Sequence, residues 1–131
     1  MAIAAFYASL LAAVFALLTM RTVNQRRQSR VELGTGENAE LLRRSRVHAN
    51  FAEYAPFVLL LIALAESLKA PSLLLHIAGL ALLAGRLFHA YGLSQTPQIL
   101  RYRLWGMVLT LTAMALAALM CFGLAVLNMA V

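Results

Sequence analysis

The stretch RVHANFAEYAPFVLLLIALA, residues 46–65, opens polar and closes apolar. Its charge-free part, Tyr54 to Ala65, has 12 residues, too few to cross a bilayer as a helix. Extended back to Arg46 it has 20 residues, which is ~30 Å at 1.5 Å per residue. The helix therefore carries Arg46, His48, Asn50, Glu53 and Tyr54 into a membrane, with Glu53 seven residues beyond Arg46, or ~10 Å along the axis. Polar groups at such depth persist only when they are paired or face protein or a wet cavity.

Outward from this stretch the chain has the same character. Of its 131 residues 63% are hydrophobic and 12% charged, with a mean hydropathy of +0.80, far from the roughly half and one quarter of soluble domains. Ala2 to Met20 is a charge-free run of 19 residues, close to the ~20 a spanning helix needs. A cleaved signal peptide has its positive charge before the apolar run, whereas here the basic residues follow it. Two further apolar segments complete an all-α integral membrane chain. The expectation is one domain, residues 1–131, with helices at about 2–28, 41–68, 71–93 and 102–129. Pro71 suits a first turn. Pro56 leaves the Ala52 carbonyl without its helical donor. Ala4, Ala8, Ala12 and Ala16, and likewise Ala113, Ala117, Cys121 and Ala125, are expected to form smooth packing stripes.

The net charge of +6 reflects membrane topology. Seven of the eleven Lys and Arg lie between Arg21 and Arg46, and Arg86, Arg101 and Arg103 surround the third loop. Positive residues in short loops mark the cytoplasmic side. This places loops one and three in the cytoplasm and both termini opposite. Nucleic-acid binding is not expected, because no basic platform is interleaved with aromatics. GTGENA, residues 34–39, spells a dinucleotide fingerprint but lacks the βαβ setting that gives it meaning. Gly34 and Gly36 read as turn residues. The lone Cys121 offers neither disulfide nor metal pattern. His48, His76 and His89 lack a ligand-pair spacing on one helix face, so no metal site is expected. His76 reads as a neighbour's hydrogen-bond partner, and Tyr102 and Trp105 as interfacial aromatics.

At 100° per residue, Arg46, Asn50 and Glu53 fall within about 60° of one another, with Tyr54 at the edge. A cation, an amide and a carboxylate on one face suit a zwitterionic or peptide-like ligand. Arg86 and His89 add polar groups at the same level. The pattern RVHANFAEYAP resembles the signature of the MAPEG family, membrane-associated proteins of eicosanoid and glutathione metabolism. GRLFHAYG at 85–92 is similar to that family's second conserved-type segment, and the order and shortness of the chain look most like the compact bacterial members.

The resemblance implies a homotrimer of four-helix subunits in the bacterial inner membrane, binding glutathione between subunits near the cytoplasmic side. By position, Arg46 would grip a glutathione carboxylate, Asn50 its polar backbone and Glu53 its γ-glutamyl ammonium. Tyr54, His48 and His89 would line the site. Arg26 is the first counterpart for a basic residue ending helix one, with Arg21, Arg27 and Arg30 as alternatives. Arg103, in RLWG at 103–106, would stabilise the thiolate, with Arg101 as second choice. Where well-studied eukaryotic members carry two tyrosines after the helix-three arginine, this chain has His89 and Leu93, with Tyr91 displaced between them. The implied activity is transfer of glutathione to lipophilic electrophiles, or peroxide reduction. The alternatives are a non-catalytic member that binds lipid or a partner protein, and a small exporter using Glu53 as a proton-coupled carboxylate. Arg46 opposes the exporter, since a cation site gains nothing from a second fixed cation.

Overall fold

A computed structural model describes residues 1–130 as four helices and no strand. They are α1 (Ala2–Ser29), α2 (Ala39–Ser67), α3 (Ser72–Ser94) and α4 (Leu100–Met129). Each is long and apolar enough to cross a membrane. At 1.5 Å per residue, α1 and α2 are each over 40 Å long, so their ends extend beyond a hydrocarbon core of about 30 Å. The extension carries the basic residues. Arg, Gln and Glu are good helix formers, so the polar sequence continues α1 as far as Ser29, and the break is confined to residues 30–38.

That break has defined ends. Arg30 takes a left-handed conformation, φ 54°, while its N–H donates to the Arg27 carbonyl and that of Val31 to Arg26. This pair of bonds closes a helix end in the Schellman manner. Gly34 and Gly36, at φ 70° and 53°, make the turn expected of them. Asn38 then caps α2, its side chain accepting from Leu41 N at 2.8 Å, and its amide reaches back to Ser29 at 3.1 Å. The α2–α3 corner repeats the Schellman closure around Lys69, φ 67°: Lys69 N donates to Glu66 O and Ala70 N to Ala65 O. Pro71 follows as the N-cap of α3. The helix bounds fall within two residues of those expected, and α2 continues through Pro56.

Packing corrects one expectation. On α1 the buried residues are Ala4, Tyr7, Leu11 and Leu18, whereas Ala12 and Ala16 are exposed. A strict four-residue step advances 400°, drifting 40° each time, so three steps carry it a third of a turn off the contact face. Alternating steps of three and four stay on it. The buried stripe of α4 shows this pattern: Gly106, Thr110, Ala113, Ala117 and Met120. Cys121 is half-buried, its thiol donating to Leu61 O at 3.1 Å. Outside this core, Leu17, Leu80, Leu119 and Phe122 are exposed and suit contact with lipid.

The α3–α4 contact positions the polar centre. A Cβ on Gly85 would stand 2.7 Å from Thr110 Oγ1 and 2.8 Å from Gly106 O. One on Gly92 would stand 2.8 Å from Arg103 N. Glycine at these two points lets the backbones touch, bringing the start of α4 against the end of α3. At the opposite end, Glu66 of α2 accepts from Ile3 N at 3.0 Å and Ala4 N at 2.8 Å, caps the first turn of α1 and pairs with the terminal amine at 3.3 Å. Tyr7 donates to the His76 carbonyl at 3.2 Å, and its hydroxyl lies 3.3 Å from His76 Nδ1.

Candidate functional site: a cationic cleft at the basic end

Arg86 is the polar centre of the bundle. It is 1% exposed, yet an arginine stays protonated in a protein. Its Nη1 donates to Asn50 Oδ1 at 2.8 Å and its Nε to Thr110 Oγ1 at 3.0 Å. The guanidinium also lies over the Tyr54 ring, 5.2 Å from the centroid, a contact favourable to a desolvated cation. Thr110 accepts from Arg86 while donating to Gly106 O at 2.8 Å, so both roles of its hydroxyl are used. Three helices are joined through this one side chain.

Asn50 carries the connection outward. With Oδ1 occupied by Arg86, what its side chain has left for another partner is the Nδ2 amide, a donor. Asn50 lines a cleft of about 610 Å³ together with Arg43, Arg46, His89, Gln98 and Arg103. The volume lies within the usual range for small-molecule sites. Arg43 is engaged by Glu40 at 2.7 Å and by Thr96. Arg46 is exposed and makes no ion pair among the described residues. Arg103 donates through Nη1 to Gln98, but its Nε is buried without a partner among the described residues. A buried donor with no acceptor is uncommon and calls for one. Arg103 also sits in the first turn of α4, the positive end of the helix dipole, where a cation opposes stability and an anion is welcome. The cleft thus presents donors and positive charge to a ligand rich in acceptors.

Among the sequence-derived candidates, one subunit brings Arg46, Asn50, His89 and Arg103 together, with Tyr54 one layer below through Arg86. The others face elsewhere. His48 lies 200° around α2 from Asn50, hydrogen-bonded to Thr19 at 3.0 Å and stacked on Phe15 at 4.7 Å. Glu53 is exposed and does not line the cleft. Arg26 folds over its own loop, donating to Gly34 O at 2.7 Å. Arg101 is exposed above the Tyr102 ring at 5.1 Å. Arg43 and Gln98 were missed. Arg43 had a signal, because it precedes Arg46 by three residues and so extends the same stripe by one turn.

The MAPEG family model matches residues 4–123. The chain belongs to the MAPEG family. It is also similar to the inner membrane protein YecN of Escherichia coli strain K12, 37% identical over 117 residues, or 89% of this chain and 88% of that protein. YecN of E. coli O6:H1 strain CFT073 matches to the same extent. Residues 85–92 are the segment of α3 that meets α4: Gly85 and Gly92 make the close approach, and Arg86 and His89 lie between them.

Proposed function

We propose that this MAPEG chain is an inner-membrane, glutathione-dependent transferase or peroxidase acting on lipophilic electrophiles. The observation that carries the reading is the unpartnered, buried Nε of Arg103 in a cleft whose other free donors are Arg46 and the Asn50 amide. Two carboxylates and two peptide carbonyls make glutathione an acceptor-rich ligand, which fits this donor set. When bound, it supplies a thiol whose ionised form is the nucleophile. Arg46 would hold a carboxylate bidentately, Asn50 Nδ2 would donate to a carbonyl or carboxylate, and His89 would border the chain. Arg103 and the amino terminus of α4 would favour negative charge on sulfur, both acting in the same direction. Arg101 is the alternative for that role.

Glu53 supports the rest of the proposal, a homotrimer. An exposed carboxylate on a spanning helix needs a partner, and Glu53 has none among the described residues. A ligand lying at a boundary between copies would offer its ammonium to Glu53, and Arg26 and His48 would enter the site from the neighbouring chain. The electrophile would arrive from the lipid phase. The loops carrying Arg21 to Arg46 and Gln95 to Ile99 would face the cytoplasm.

A non-catalytic ligand-binding role is the second reading. It is favoured by Leu93, buried at a position where eukaryotic relatives place a tyrosine. The test is glutathione titration of the detergent-purified protein near neutral pH, followed by ultraviolet thiolate absorbance, beside Arg103→Ala and Glu53→Gln. The proposal expects a thiolate signal that Arg103→Ala removes and an affinity that Glu53→Gln lowers. Binding without thiolate points to the non-catalytic reading. Absence of binding ends the glutathione assignment and turns attention to Glu53-dependent transport.

A further inference from the structure

We propose that the groove between α1 and α3 binds an anionic phospholipid of the surrounding bilayer. The groove, of about 580 Å³, is walled by Leu17, Leu87 and Ala90 and ends at Arg21, Ser94 and Gln95. It shares no lining residue with the cationic cleft and does not depend on glutathione. Along α3, Leu87 to Ser94 is seven residues, so the apolar slot descends ~10 Å from the polar end, about a third of a hydrocarbon core. Leu17 and Leu87 are 66% and 45% exposed, so the slot opens sideways, where acyl chains run.

The polar end has the chemistry of a phosphodiester seat. Arg21 is exposed, and its guanidinium reaches only Ser94 Oγ, at 3.5 Å. The neighbouring Arg44 pairs with Glu40 at 2.7 Å, and its Nη1 rests on the Arg21 carbonyl at 3.2 Å. Glu40, the carboxylate near enough to feel Arg21, is already shared by Arg43 and Arg44, so Arg21 has no ion-pair partner of its own among the described residues. Beside it the Ser94 hydroxyl and the Gln95 amide are further donors. Basic pockets between membrane helices on the cytoplasmic side are suited to anionic headgroups.

A second copy of the chain suits the groove less well. A copy inserted in the same orientation keeps each residue at its own depth. Of the carboxylates in the helices, Glu40 is held by two arginines, and Glu66 belongs to the opposite end of α2. Glu53 is nine residues past Arg44, ~13 Å deeper than Arg21. None is free to pair with Arg21. A lipid supplies both the anion at that level and the chain below it.

The test uses full-length protein stripped of lipid in a neutral detergent. It is offered phosphatidylglycerol, phosphatidylcholine of the same acyl chains, or glycerol 3-phosphate, and adducts are read by native mass spectrometry. The expectation is that phosphatidylglycerol is retained about fivefold over phosphatidylcholine, the ratio one interfacial cation supplies. Arg21→Gln should abolish the preference, and Arg27→Gln, the same charge change at another exposed arginine of α1, should leave it intact. Ala90→Trp, which fills the slot, should reduce retention of both lipids. Equal retention of the two lipids by the wild type overturns the proposal. So does a preference that survives Arg21→Gln, or that falls equally with Arg27→Gln. Equal occupancy by glycerol 3-phosphate would make this a seat for soluble anions and would likewise overturn it.

Discussion

Asn50→Asp separates the two jobs of Asn50. The substitution keeps an oxygen acceptor for Arg86 Nη1, now 2.8 Å away, and turns a neutral bond into an ion pair. It removes the Nδ2 donor, the group that the proposal offers to the ligand. Stability should therefore hold or rise, while glutathione binding falls. A hydrogen bond to a charged group contributes about 1.5–3 kcal/mol, so losing the donor to a ligand carboxylate weakens affinity roughly 10- to 100-fold, before any repulsion by the new charge. Asn50→Leu gives the opposite separation from the fold. It leaves a buried guanidinium without its shortest acceptor, at a cost of about 1–3 kcal/mol or more. Thermal unfolding in detergent and a glutathione titration, run on both variants, supply the four values required. If Asn50→Asp melts as early as Asn50→Leu, Arg86 does not depend on the oxygen. If Asn50→Asp binds glutathione like wild type, the amide does not face the ligand, and the polarity assigned to the cleft is refuted.

Other expectations concern the frame. Gly85→Ala places a methyl 2.7 Å from Thr110 Oγ1 and 2.8 Å from backbone, which overpacks α3 against α4 by about 1–3 kcal/mol. Gly123→Ala meets nothing within 4 Å and should be neutral or stabilising by up to about 1 kcal/mol, as alanine improves a helix over glycine. Unfolding midpoints of the two compare the same chemical change in tight and open settings. Glu66→Gln weakens the clamp on the first turn of α1 by about 1 kcal/mol. Amide exchange at Ile3 and Ala4 should accelerate, with glutathione affinity unchanged because the clamp is at the other end of the bundle from the cleft.

Much of the fold was legible because a bilayer imposes coarse rules. The run Ala2 to Met20 must span, the charges after it must leave the membrane, and Pro71 and the glycines at 34 and 36 must turn the chain. The polar stripe of α2 was legible from helical geometry alone, and Arg46 and Asn50 do meet the cleft. What was not legible depends on how helices rotate against one another. The alanine spacing on α1 suggested a contact face that the real crossing abandons after two turns. Arg86 could be placed at the right depth from its number. That Asn50 and Thr110 are its partners depends on the close approach of α3 to α4 at Gly85, which brings α4 beneath it. Glu53, His48 and Arg26 share the depth or the basic character that marked them as candidates, but helix rotation exposes Glu53, turns His48 to Thr19 and Phe15 and leaves Arg26 on its own loop.

Arg86 has one consequence that concerns distance more than contact. Its partners Asn50, Thr110 and Tyr54 are all neutral, so it has no counter-ion among the described residues. A charge in so poorly polarisable a setting is screened by salt far less than the exposed Arg46 at the rim. The cleft above it therefore rests on a standing positive potential that persists at ionic strengths where Arg46 has lost much of its reach. An anion settling there supplies the counter-charge that the bundle omits.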